Sequence, residues 1–72
     1  MEYKINLLWD AEAAVWVAQS EDIPGLVLES GSFDALLERL RYAVPEILEL
    51  NGIKNDESVN ICYLSERRER VG

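Results

Sequence analysis

The stretch Glu29-Ser30-Gly31-Ser32-Phe33-Asp34-Ala35-Leu36-Leu37 decides the fold, because the spacing of the apolar residues changes inside it. After Ser32, residues Phe33, Leu36, Leu37, Leu40, Val44, Ile47 and Leu48 fall at offsets 0, 3, 4, 7, 11, 14 and 15. That spacing places them on one face of an α-helix. Ser32 stands at the N-cap, where a hydroxyl accepts from the first unpaired N–H groups. Asp34 in the first turn complements the positive end of the helix dipole. Asn51-Gly52 reads as the stop, since glycine takes the left-handed conformation a helix end needs. Pro45 lies inside the pattern and lacks the N–H that would bond the Arg41 carbonyl. The apolar face continues in phase beyond it, so a kinked but continuous helix is expected.

Before Ser30 the period is two, the mark of a strand. Tyr3, Ile5, Leu7 and Trp9 alternate with Lys4, Asn6 and Leu8. Asp10-Ala11-Glu12-Ala13 interrupts the alternation as a short reversal, and Ala14–Gln19 resumes it. Ile23-Pro24-Gly25 is a second turn, with proline fixing φ and glycine tolerating φ > 0. Leu26–Glu29 is a third short strand. Beyond the helix, Val59, Ile61 and Tyr63 alternate with Asn60, Cys62 and Leu64, predicting a strand over Ser58–Leu64. The order β-β-β-α-β is an α+β arrangement. A meander followed by a helical crossover gives a four-stranded mixed sheet of order 3-2-1-4, with the last strand parallel to the first. One kinked helix covers one face. The expected covered face holds Ile5, Leu7, Val15 and Val17, and the expected bare face holds Leu8, Trp16 and Ala18. Residues 1–64 form a single domain, and 65–72 form a polar tail.

The chain has 72 residues, 49% of them of hydrophobic types and 29% charged, an ordinary globular balance. A domain this small buries about 60% of the surface its unfolded chain exposes and gains from association. With no His, imidazole catalysis and imidazole metal ligation are excluded. The single Cys62 makes neither an internal disulfide nor a thiolate metal site. The first 64 residues hold 12 acids and four bases, net −8. The last eight hold Arg67, Arg68 and Arg70 against Glu66 and Glu69, net +1. An acidic body repels nucleic acid and favours basic partners. No stretch approaches the roughly 18 apolar residues of a membrane span. Met1-Glu2-Tyr3-Lys4 carries no export signal and the one thiol suits a reducing setting, so the expectation is a cytoplasmic protein with no nucleic-acid or membrane partner.

Trp9-Asp10, Val15-Trp16-Val17-Ala18, Asp22-Ile23-Pro24-Gly25-Leu26 and Glu29-Ser30-Gly31-Ser32-Phe33-Asp34-Ala35-Leu36 together resemble the HicB antitoxin family and its short stand-alone members. The resemblance covers residues 3–64, and Asp22–Leu26 is its most specific part. It implies a partial ribonuclease-H-like fold. It also implies a partner, the HicA toxins, which are small basic ribonucleases blocked by occlusion. Many family members carry a C-terminal DNA-binding domain. Here only eight residues follow Leu64, too few for one.

No catalytic, cofactor-binding or metal-ligating residues are expected. Ribonuclease-H-type chemistry needs an acid in the middle of the first strand, where this chain has Lys4-Ile5-Asn6-Leu7. Ser20, Ser30, Ser32 and Cys62 lack a histidine base, and Gly25 and Gly31 are too isolated for a phosphate loop. The expected activity is therefore protein association, either with a small basic toxin or with a second copy as a homodimer. The expected interface is the bare sheet face with Leu8, Trp16 and Ala18, plus the loop acids Asp10, Glu12, Glu21 and Asp22, or, for a homodimer, the outer edge strands with their unpaired N–H and C=O groups. Trp16 is its expected anchor, so a Trp16→Glu chain is expected to fold normally and lose its partner.

Overall fold

A computed structural model describes residues 2–53 and 59–72. Its elements are β1 (Glu2–Asp10), β2 (Val15–Gln19), β3 (Val27–Ser30), α1 (Phe33–Leu50) and β4 (Asn60–Glu66). They form one mixed sheet of order β3-β2-β1-β4. Strands β1–β2 and β2–β3 are antiparallel, and β4 runs parallel to β1. This is the expected topology. The predicted start of the last strand, Ser58, lies outside the described residues. Its end moves: Ser65 and Glu66, assigned to the tail, continue β4 beside Leu7 and Leu8.

The helix begins and ends where its caps dictate. Ser32 Oγ accepts from the Ala35 N–H at 3.2 Å. At the other end Gly52 adopts φ 79°. Its N–H reaches the Glu49 carbonyl, and the Ile53 N–H reaches the Leu48 carbonyl at 2.9 Å. This pair of bonds is the Schellman closure that glycine permits. Pro45 lies within the helix and does not divide it. A Ser32→Ala chain should lose about 1 kcal/mol of stability, the usual worth of an N-cap hydroxyl. Chemical denaturation checks this, and an unchanged midpoint would remove the cap from the account.

Leu36, Leu40, Val44 and Leu48 lie four residues apart along α1, and all are buried. They meet Tyr3, Ile5 and Leu7 of β1, Ala18 of β2, and Ile23 and Leu26 of the second turn. That turn is closed by the Leu26 N–H on the Ile23 carbonyl, with Pro24 next and Gly25 at φ 88°. Proline followed by a positive-φ glycine is the type II pattern. Both ends of the turn are core side chains, and Asn51 Nδ2 donates to the Pro24 carbonyl, tying it to the helix stop.

The expected faces are corrected by the register of the first hairpin. Leu7 lies opposite Ala18, Trp9 opposite Trp16, and Leu8 opposite Val17. Residues directly opposite in an antiparallel pair share a face. Trp16 and Ala18 are therefore under the helix with Ile5 and Leu7, while Val15 and Val17 lie on the bare face with Leu8. The loop between Asp10 and Val15 sets this phase. Asp10 Oδ1 accepts from the Glu12 and Ala13 N–H groups, and Ala14 takes a left-handed φ of 55°. A change of one residue in such a loop moves every side chain to the other face.

The helix axis lies over β3 and β2, so β4 stands beside it rather than beneath it. A groove of about 340 Å³ remains between α1 and β4, lined by Leu40, Val44, Pro45, Leu48, Ile61 and Tyr63 among others. No helix among the described residues is long and apolar enough to cross a membrane.

Candidate protein-interaction surface

The outer face of the sheet carries no helix. Pairing lines up Glu66, Leu8, Val17 and Glu29 in one row across all four strands. An apolar pair is thus flanked by Glu29 on β3 and by Glu66 on β4, whose carboxylate is held by the Arg68 guanidinium at 2.9 Å. The adjacent row joins Leu64, Asn6, Gln19 and Val27. Leu8, Leu64 and Val27 are 39%, 47% and 68% exposed. Shallow depressions adjoin Leu8, one toward Asp10, Glu12 and Val17 and another toward Glu21, Gly25 and Val27. The surface is an apolar strip with acids at its margins, and it has the makings of a contact for a basic partner.

Of the residues expected at the interface, Leu8, Asp10, Glu12 and Glu21 border this face. Ala18 is fully buried in the core and Trp16 is half-buried beside it, so neither contributes to it. Trp16 packs edge-on against Phe33 at 4.8 Å and Trp9 at 5.5 Å between ring centroids. The Arg67 guanidinium sits 4.1 Å from the Trp9 centroid and 5.9 Å from that of Trp16. Trp16 is therefore a packing residue on the helix side and not the anchor expected of it. The first residue beyond β4 acts as a lid on the aromatic pair.

Asp22 has a local structural task. Its Oδ2 accepts from the Lys4 N–H at 2.8 Å, and Ser20 Oγ donates to the Lys4 carbonyl at 2.6 Å. The Asp22 N–H returns to Ser20 Oγ. The two side chains thereby extend the pairing of β1 past the end of β2. Asp10 is likewise engaged with its own loop. No group of three or more Cys, Asp or Glu among the described residues is arranged to hold a metal ion.

Sequence reasoning missed Val15, Val17, Val27, Leu64, Glu29 and Glu66 as members of the outer face. The signal that could have found them is the odd sum of paired residue numbers, as in Asp10 opposite Val15, set by a four-residue loop. The same run of strands, turn and helix is matched from end to end by one family. Residues 2–72 match the DUF1902 family, described as a domain of unknown function. The chain belongs to this family. It is also similar to the crystal structure of hypothetical protein TTHA1013 from the extremely thermophilic bacterium Thermus thermophilus. That likeness has a TM-score of 0.84 and 39% identity over 99% of this chain and 100% of the other. No curated protein matches the chain.

Proposed function

We propose that this DUF1902 chain is a non-enzymatic protein-binding module of antitoxin type. Its partner is a small basic ribonuclease of the HicA kind, held by occlusion. The observation that carries the reading is the row Glu66, Leu8, Val17 and Glu29 on the bare sheet face. The apolar centre supplies buried area, and Glu29 with the bordering acids Asp10, Glu12 and Glu21 steers a basic partner and disfavours acidic ones. The net charge of −7 adds long-range attraction. The resemblance of Asp22–Leu26 and Glu29–Leu36 to HicB antitoxins supports the partner class. A cytoplasmic location follows from the same reading, as the place where such a ribonuclease meets RNA.

The test uses the product of a small basic reading frame beside the gene. Its RNA cleavage should be suppressed by an equimolar amount of this chain. Suppression should fall at least tenfold for a Glu29→Lys, Glu66→Lys chain that keeps its helical circular dichroism. Undiminished cleavage in a tenfold excess of the unaltered chain would end the antitoxin reading. The second reading is a homo-oligomer with no toxin partner. The open groove beside β4, on the other layer of the molecule, favours self-association.

A further inference from the structure

We propose that β4 is the seam of a two-fold homodimer, in which two copies pair antiparallel about Tyr63 and each sends its C-terminal arm to the other's helix end. The two edges of the sheet are unlike. β3 is four residues long, and Arg39 Nη1 donates to its Glu29 carbonyl at 3.0 Å, so that edge is short and partly capped. β4 is seven residues long and pairs on its β1 side, leaving its outer edge as a template for another strand. Beside that edge lies the apolar groove between α1 and β4, with Tyr63 37% exposed.

Three further observations favour a second copy as the occupant. The first is area. The accessible surface is 5399 Å². A compact monomer of 8.2 kDa would expose about 4500 Å². The excess is close to the roughly 800 Å² that each partner gives to a standard interface. The second is shape. The radius of gyration is 13.3 Å, against about 11 Å for a compact chain of this length. The molecule extends 49 Å along one axis but only 19 and 18 Å along the others. The C-terminal residues are exposed, Val71 to 90%.

The third is charge. The arm carries Arg70 beside two ion pairs of its own, Arg67–Glu69 at 2.8 Å and Arg68–Glu66 at 2.9 Å, while the body is strongly acidic. The last turn of α1, Ile47-Leu48-Glu49-Leu50, holds an acid and no base. That end is also the negative pole of the helix. Glu49 follows Arg41 and Pro45 of the groove wall at intervals of four, so it continues that wall toward the helix stop.

Pairing about Tyr63 satisfies these features together. It uses all seven residues of β4. Glu66 of one copy then lies opposite Asn60 of the other, Ser65 opposite Ile61, and Leu64 opposite Cys62. The two sheets become one, the two grooves face each other over the seam, and Ile61 and Tyr63 of both copies close them. Beyond Glu66 each arm continues past the start of the other copy's β4. There Arg70 meets Glu49 and the helix end.

Sedimentation of the full chain at about 100 µM tests the first step. A dimer is expected, and a monomer alone would overturn the proposal. The seam is tested by a Cys62→Ser, Tyr63→Cys chain, whose single thiol faces its own copy across the axis. Mild oxidation should convert it to a covalent dimer. A Cys62→Ser, Leu50→Cys chain, with its thiol on an exposed helix position, should not convert. Equal crosslinking of the two places the contact elsewhere and overturns the seam. A chain ending at Arg67 tests the arm, and its dimer dissociation constant should rise at least tenfold. An unchanged constant removes the arm from the interface. The proposed toxin surface lies on the opposite sheet face, so failure of the dimer leaves that reading standing, and the reverse also holds.

Discussion

A Trp16→Glu chain should be destabilised by about 3 kcal/mol or more, the cost of removing a packed tryptophan, before any penalty for the new carboxylate is added. Trp16 lies on the helix side, edge-on to both Phe33 and Trp9 and roofed by Arg67. A glutamate there would lose both ring contacts and leave a carboxylate against the apolar core. The melting temperature of a domain this size falls by roughly 4–8 °C per kcal/mol, so a drop of more than about 10 °C is expected. The total stability of a domain this long is only about 4–11 kcal/mol. The variant is therefore a folding mutant and cannot serve as a probe of an interface. Calorimetry checks this, and an unchanged melting temperature would return Trp16 to the surface.

Leu40→Ala should cost about 2–5 kcal/mol, the range for a fully enclosed leucine. Leu40 sits midway along the buried series Leu36, Leu40, Val44 and Leu48, and its side chain is completely enclosed. The groove beside it bears on where in that range the loss falls. Neighbours that relax into the vacated space reduce the cavity term, while a rigid wall keeps it whole. Urea titration at fixed protein concentration measures the loss. A value under about 1 kcal/mol would mean that the helix presents a different face to the sheet.

The helix was legible because its signals are local and agree with one another. The offsets from Phe33 to Leu48 mark the face, Ser32 marks the start, and Asn51-Gly52 marks the stop. None of these depends on a distant residue. The turn at Ile23-Pro24-Gly25 was legible for the same reason. The order of strands followed from the lengths of the connections, which leave a short meander and one crossover. Pro45 was expected to bend the helix without dividing it, and the helix is indeed a single element. The acidic loop residues Asp10 and Asp22 were visible too, but not the bond that Asp22 accepts, because the Lys4 N–H that donates it is 18 positions away.

The sequence by itself determined the elements, their order and the apolar stripe of the helix, since periodicity and caps act within a few residues of the chain. Only the tertiary structure decided which strand faces lie together. Along a strand the side chains alternate without naming an inside, and the phase between two strands depends on the loop that joins them. Asp10 opposite Val15, closed by the left-handed Ala14, sent Trp16 and Ala18 inward and Val15 and Val17 outward. The lateral placement of the helix over β3 and β2 was equally beyond the sequence. It follows from how the side chains of both layers fill space together, and it is what leaves β4 and its groove open.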